Sequence, residues 1–182
     1  GLLFPPSDFR PAGDAIWIGR LDRDGRKELA EALYSPLMRQ VIQSLGRGDT
    51  AVWVIHQGNR PRANRETRAM MNRVLTAMEQ EMRLPHQVDP GNAIYTRPPA
   101  PGIPFHLKFS IIETDLFAPE NRLLRQTVDA ATSLPLQRSD PLVIPVFGRC
   151  RALGLLRNDD LRESVLQEIV SFLVGPCACQ IK

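Results

Sequence analysis

The stretch PLVIPVFGRCRALGLLR, residues 141–157, decides the fold that this sequence predicts. Two short apolar runs lie on either side of Gly148 and Arg149. Glycine adopts backbone angles that other residues avoid, so a tight turn is expected there. Apolar runs bounded by turn residues are typical of strands. The stretch therefore predicts a β-hairpin. The elements before and after it indicate the fold to which this hairpin belongs.

The segments around this hairpin alternate between strand and helix patterns. AVWVIHQ (51–57) is short and β-branched and is apolar on both faces, which predicts a buried strand. The longest helical pattern covers 62–83, where methionines and other apolar residues recur at three- and four-residue steps. A second strand is predicted over 105–115 and a helix over 118–131. A final helix is predicted over 158–175.

Residues before the first core strand predict a strand–helix extension. AIWIGR (15–20) has a strand pattern, and apolar residues at helical spacing predict a helix over 26–45. Pro36 falls inside this pattern and predicts a kink or a break, because proline removes a helical hydrogen bond. In the final helix, Asn158 or Asp159 is the expected N-cap.

The domain organisation follows from this order of elements. We expect an extended lead-in over 1–14 and a single domain over 15–175, whose core covers 50–175. A proline-rich surface insert over 85–104 interrupts the core. The tail, 176–182, carries a Cys-x-Cys pair.

From residue 51 onward, the order strand, helix, strand, helix, strand, strand, helix resembles the thioredoxin fold. The run IPVFG (144–148) resembles the strand of that family that begins with a cis-proline and leads into a hairpin. The resemblance implies an α/β fold, with a thioredoxin-like mixed sheet flanked by helices. It also implies a structural cis-proline at Pro145. The combination FGRxR…GPCxCQ further resembles an uncharacterised family of exported bacterial proteins.

The sequence departs from the thioredoxin family at the position of its catalytic motif. The family places Cys-x-x-Cys after the first core strand, where the helix dipole lowers a thiol pKa. Here the strand is followed by GNRPRANRETR (58–68), which contains no cysteine. One interpretation is an anion-binding site formed by Arg60, Arg62 and Arg65. The other is a solvated helix face, because the arginines fall opposite the methionine stripe.

The three cysteines, Cys150, Cys177 and Cys179, leave three interpretations open. The resemblance places all three at the end of the sheet away from the family's active site. Cys150 could form a structural disulfide with Cys177 or Cys179. Cys177 and Cys179 could instead form a redox pair, with a strained and easily reduced disulfide. The three thiolates could also bind zinc or copper(I), but the sequence offers no convincing fourth ligand, so no metal-ligand set is assigned.

Composition and motifs exclude several functional classes. The 182 residues are 43% apolar and 24% charged, with a net charge of +3. Aromatic residues make up 6% and the basic residues are dispersed, so no nucleic-acid partner is expected. Apolar runs are too short for a membrane span. No P-loop, dinucleotide fingerprint, HExxH or Gly-x-Ser-x-Gly motif appears, so no cofactor is expected. His56, His86 and His106 are expected to be isolated.

The sequence therefore predicts a degenerate thioredoxin-like domain that acts as a protein-interaction or structural component. A thiol-disulfide oxidoreductase using the C-terminal Cys-x-Cys is the first alternative, and thiolate metal binding is the second. A protein partner is expected. A periplasmic or secreted location is expected, with a cytoplasmic one as the alternative.

Overall fold

The computed structural model describes residues 2–3, 17–18, 22–82, 107–132, 136–148 and 150–175, and it contains a mixed β-sheet flanked by helices. The strands are β1 (Leu2–Leu3), β2 (Trp17–Ile18), β3 (Ala51–His56), β4 (Phe109–Thr114), β5 (Leu142–Phe147), β6 (Arg151–Ala152) and β7 (Leu156–Arg157). The helices are α1 (Arg23–Leu33), α2 (Pro36–Gly46), α3 (Pro61–Glu81), α4 (Arg122–Ala131) and α5 (Glu163–Val174). Short 3-10 turns cover Pro119–Asn121 and Asn158–Asp160.

The chain divides into two compact units. The first consists of 1–39 and 115–138, and the second of 40–114 and 139–182. The domain predicted over 15–175 contributes to both units, and so does its predicted core, 50–175. The insert 85–104 and the tail 176–182 lie outside the described residues.

The second unit contains the mixed sheet. Its strand order is β4-β3-β5, and β6 and β7 both pair with β5. β3 runs parallel to β4, with Trp53 opposite Ile111, and antiparallel to β5, with Trp53 opposite Pro145. α3 connects the two parallel strands, as a parallel pair requires a crossover connection.

One face of this sheet packs against α3 and α5. Trp53 is fully buried at the centre of β3, and Met71 of α3 and Leu166 of α5 are fully buried in the same apolar cluster. This pattern explains the methionine stripe: it is the core-facing side of α3. The opposite face of β3 is buried as well, since Val52, Val54 and His56 are no more than 2% exposed.

Pro145 lies inside β5, and a β-bulge accommodates it. The pairs Val146–Ala152 and Val143–Leu156 differ by one residue in register, so two residues of β5 face three residues of the returning chain. The Pro145 carbonyl accepts a hydrogen bond from the Leu153 N–H at 3.0 Å. The amide position of Pro145 therefore faces the bulge, where the absence of an N–H does not interrupt a regular ladder.

The prediction of a cis-proline at Pro145 is wrong. The described residues contain no cis peptide bond, so the bond between Ile144 and Pro145 is trans. Pro145 is the fourth residue of β5 rather than its first. The residue immediately before β5 is Pro141, which is buried.

The first unit consists of helices and a short ribbon. α1 packs against α4 and against the turn Pro119–Asn121. Asp22 is the N-cap of α1, because its Oδ1 accepts the Gly25 N–H at 3.0 Å. β1 and β2 form a separate antiparallel pair. The lead-in thus includes a strand that the sequence did not predict, because two isolated leucines carry no alternating pattern.

Two predictions at helix ends have different outcomes. The helix predicted over 26–45 is divided into α1 and α2 at Pro36, as its position in the pattern indicated. The N-cap predicted at Asn158 or Asp159 is wrong: Arg162 is the N-cap of α5. The Arg162 N–H donates to the Asp160 carbonyl at 3.0 Å, so a tight turn occupies the residues where the helix was expected to begin.

Within the described residues, no helix combines the length and the apolar character that crossing a membrane requires.

Candidate functional site

The end of the sheet where β3 stops and α3 begins forms the candidate site, which we call the helix-start site (Gly58, Arg60, Asn64, Ser139 and Asp140). Gly58 lies so close to Ser139 that a Cβ on Gly58 would be 2.6 Å from the Ser139 carbonyl oxygen. The Asn64 side-chain amide donates to the Gly58 carbonyl at 2.7 Å. The loop after β3 is therefore in contact with the segment before β5 on one side and with α3 on the other.

An ion pair joins the same loop to the segment before β5. The Arg60 guanidinium lies 3.0 Å from Asp140 Oδ1. The Arg60 side chain is 65% exposed and that of Asp140 is 31% exposed, so water screens the pair. The ion pair therefore orients the two loops more than it stabilises them.

The chemistry of this helix start is not that of a thiol. α3 begins with Arg60 as its N-cap, which makes no side-chain capping bond, followed by Pro61. Proline at the first helical position lacks an N–H that would be unpaired there anyway. The residues of this loop, 57–61, include no cysteine, so the helix dipole has no thiolate to stabilise.

An open groove of about 380 Å³ lies beside the helix-start site, between α3 and the segments before β5 and α5. Its apolar lining comes from Ala63, Met70, Pro141 and Leu161. Glu66 and Asp140 add charge to the lining. Thr67 and Arg73 complete the lining, so the groove combines apolar side chains with polar and charged groups of both signs.

The predicted anion-binding arginines do not form a shared cationic site. Arg60 is paired with Asp140. Arg62 pairs with Glu66 at 2.8 Å along the exposed face of α3, and this hydrogen-bonded pairing raises the pKa of Arg62. Arg65 is exposed on the same helix. Two of the three charges are thus compensated by carboxylates, which favours the interpretation of a solvated helix face.

A second groove, of about 300 Å³, lies between α3 and the edge strand β4. Its charged groups bind one another and the backbone: Arg68 pairs with Glu113 at 2.9 Å, and Gln57 also donates to Glu113. Glu79 accepts the Phe109 N–H at 2.6 Å. These contacts fasten α3 along β4, so the groove has a structural role.

Of the three cysteines, Cys150 is described, and Cys177 and Cys179 lie outside the described residues. Cys150 is exposed, in the turn between β5 and β6, with a φ of 58°. Desolvation raises the pKa of its thiol. A raised pKa lowers the thiolate fraction at neutral pH, which is the reverse of what a redox cysteine needs.

We expect the alkylation of Cys150 to depend on pH in a way that reflects this raised pKa. In a Cys177→Ser, Cys179→Ser variant, the rate with iodoacetamide should still be rising where that of a cysteine-containing peptide has levelled off. The measurement is the alkylation rate between neutral and alkaline pH. A rate that reaches its plateau near pH 7 would instead indicate an activated thiol.

The described part of the chain contains no cluster of side chains suited to a metal ion. No group of three or more His, Cys, Asp or Glu side chains among these residues could hold a metal ion. His56 is buried at the end of β3, at 1% exposure. His86 and His106 lie outside the described residues.

Apart from Arg60, sequence reasoning missed the residues of the helix-start site, Gly58, Asn64, Ser139 and Asp140, and it also missed Pro141 of the groove. Gly58 and Asp140-Pro141 carried a signal, since glycine and Asp-Pro mark turns next to predicted strands. The proximity of the two loops carried no signal in the sequence, because about 80 residues separate them in the chain.

No family model, curated protein or solved structure matches this chain.

Proposed function

We propose that the second unit is a degenerate thioredoxin-like domain that binds a segment of another protein and performs no thiol chemistry at its helix start. The observation that carries this proposal is the ion pair between Arg60 and Asp140, which lies beside the helix start. In a thioredoxin-like domain, the catalytic thiols would begin that helix. Here the position of those thiols is occupied by the loop after β3, which the Arg60–Asp140 ion pair joins to the segment before β5.

The strand order supports the thioredoxin-like part of the proposal. A parallel pair joined by a helix, β3-α3-β4, is followed by a strand that joins β3 from the other side and then by a hairpin and a closing helix. This is the order expected from the sequence resemblance. The packing of α3 and α5 on one face agrees with it.

The groove beside the helix-start site indicates the chemistry of the partner. Its apolar lining, including Met70 and Leu161, favours an apolar side chain, and methionine adapts to different shapes. Arg73 lines the same groove and pairs with Glu163. We therefore propose an extended peptide segment that inserts one apolar side chain next to Pro141.

The test uses two alanines on the same helix. Ala63 lines the groove and is half-buried, whereas Ala69 is exposed and is not part of the groove. Peptides selected from a random library on the wild-type chain should bind the Ala69→Trp variant with unchanged affinity. Ala63→Trp fills the groove and should weaken binding at least about 10-fold, the loss of about 1.4 kcal/mol. Fluorescence anisotropy measures the three affinities.

Two results would contradict the proposal. One is a selection that yields no binding peptide, and the other is equal binding to all three chains. The redox alternative has its own readout, the reduction of insulin disulfides by dithiothreitol. A catalysed rate that disappears in the Cys177→Ser variant would replace the proposed function with an oxidoreductase.

We also propose an exported or envelope location. It rests on the resemblance of the FGRxR…GPCxCQ combination to exported bacterial proteins and on the disulfide interpretation of Cys150. Mass spectrometry of the non-reduced chain from its source should show Cys150 bridged to Cys177 or Cys179. Three free thiols would favour the cytoplasmic alternative.

A further inference from the structure

Two arginines in the first unit converge on one aromatic ring. The Arg138 guanidinium lies 4.6 Å from the centroid of the Phe117 ring, and the Arg125 guanidinium lies 5.3 Å from it. The two cations are therefore no further apart than the sum of these distances. Two like charges within this distance favour a counter-charge between them, the more so where the protein shields them from water.

The described residues supply no such counter-charge. Neither Arg125 nor Arg138 forms an ion pair among them. Asp129 stands four residues after Arg125 on α4, the spacing of a helical ion pair. Its Oδ1 instead accepts the Leu136 N–H at 3.0 Å. Asp115 likewise accepts the Phe117 N–H at 2.8 Å. Asp115 and Asp129 thus each bind a backbone amide, and Glu120, the third acid of 115–138, forms no ion pair with either arginine among the described residues.

The burial of Arg125 adds a second, independent observation. Its Nε is buried and has no hydrogen-bond partner in the described part of the chain. A buried donor without an acceptor is costly, and a charged donor more so. Arg138 is exposed, so the pair is open to solvent on its side.

We propose that Arg125 and Arg138 form an oxyanion-binding site against Phe117, for a ligand that carries a phosphate or a carboxylate group. The guanidinium fork matches both groups and binds them through two parallel hydrogen bonds. One oxyanion supplies the missing acceptor for Arg125 Nε and the missing counter-charge for both cations. Phe117 fixes the two guanidinium planes by cation–π contact, so little order is lost on binding.

The experiment is a titration of the full chain, at constant ionic strength, with inorganic phosphate and separately with succinate. The readout is the Nε–Hε cross-peak of Arg125 in ¹H–¹⁵N NMR spectra, which reports on this side chain alone. We expect a saturable shift with at least one of the two anions. The anion with the higher affinity distinguishes a phosphate ligand from a carboxylate ligand.

The variants Arg138→Gln and Arg39→Gln separate a site from general attraction. Both remove one exposed positive charge. Arg138→Gln should weaken binding at least 10-fold, and Arg39→Gln less than 2-fold. Arg125→Lys, which keeps the charge without the fork, should also weaken binding. The absence of a saturable shift with either anion, or an equal loss in both glutamine variants, would overturn the proposal. The proposed function of the second unit is unaffected by this outcome.

Discussion

Replacing Gly58 by alanine is expected to lower the free energy of unfolding by about 3 kcal/mol, the upper end of the usual range for overpacked sites. The added Cβ would lie 2.6 Å from the Ser139 carbonyl oxygen and 2.8 Å from the Asp140 carbonyl carbon. Both are backbone atoms, so no side-chain rotation relieves the contact. The loop after β3 and the segment before β5 must move apart, which also separates Arg60 from Asp140.

Gly46→Ala is the matched control for this change. Gly46 is the last residue of α2, and a Cβ placed there meets nothing within 4 Å. Alanine is the better helix former, so this variant should be stabilised by up to about 1 kcal/mol. Urea denaturation measures the free energy of unfolding of both variants. Equal stability of the two variants would mean that the loops do not approach as closely as the structure indicates.

Leu166→Ala is expected to lower the free energy of unfolding by about 3 kcal/mol, within the range of 2–5 for buried leucines. Leu166 is fully buried on α5, in the cluster that also contains Trp53 and Met71. Truncation leaves a cavity between the sheet, α3 and α5, and the surroundings of such a cavity relax only in part.

Leu33→Ala is the same substitution at a helical leucine that is 44% exposed. We expect it to change stability by less than about 1 kcal/mol, because little apolar area leaves the core. Thermal and urea unfolding of both variants measure the difference. A loss below 1 kcal/mol for Leu166→Ala would contradict the packing of α5 against the sheet.

The sequence predicted the elements whose pattern is local. The β-branched run at β3 and the methionine stripe of α3 each carry their own periodicity, and both elements lie within two residues of the prediction. Pro36 also acted locally, as the break between α1 and α2. Strand and helix patterns therefore sufficed for the α/β class, whereas the mixed sheet was expected from the resemblance of the element order to the thioredoxin fold.

The errors arose where a distant part of the chain decides the local structure. The register shift between β6 and β7 creates the bulge that accommodates a trans Pro145, and no local pattern reveals it. Asn158, Asp159 and Asp160 resemble a helix N-terminus in sequence, but they form a 3-10 turn, and α5 begins after it. The helix-start site consists of two loops that are far apart in sequence. The sequence therefore indicated the arginines after β3, but it did not indicate that Asp140 pairs with Arg60.

The distinction between binding and thiol chemistry is central to the proposed function, and the location of a bound peptide tests it most directly. Amide hydrogen exchange should be measured with and without a peptide selected on the wild-type chain. We predict slower exchange at residues 58–67 and 139–142, around the groove. Unchanged exchange there, with protection confined to other segments such as the edge strand β4, would contradict binding at the helix-start site.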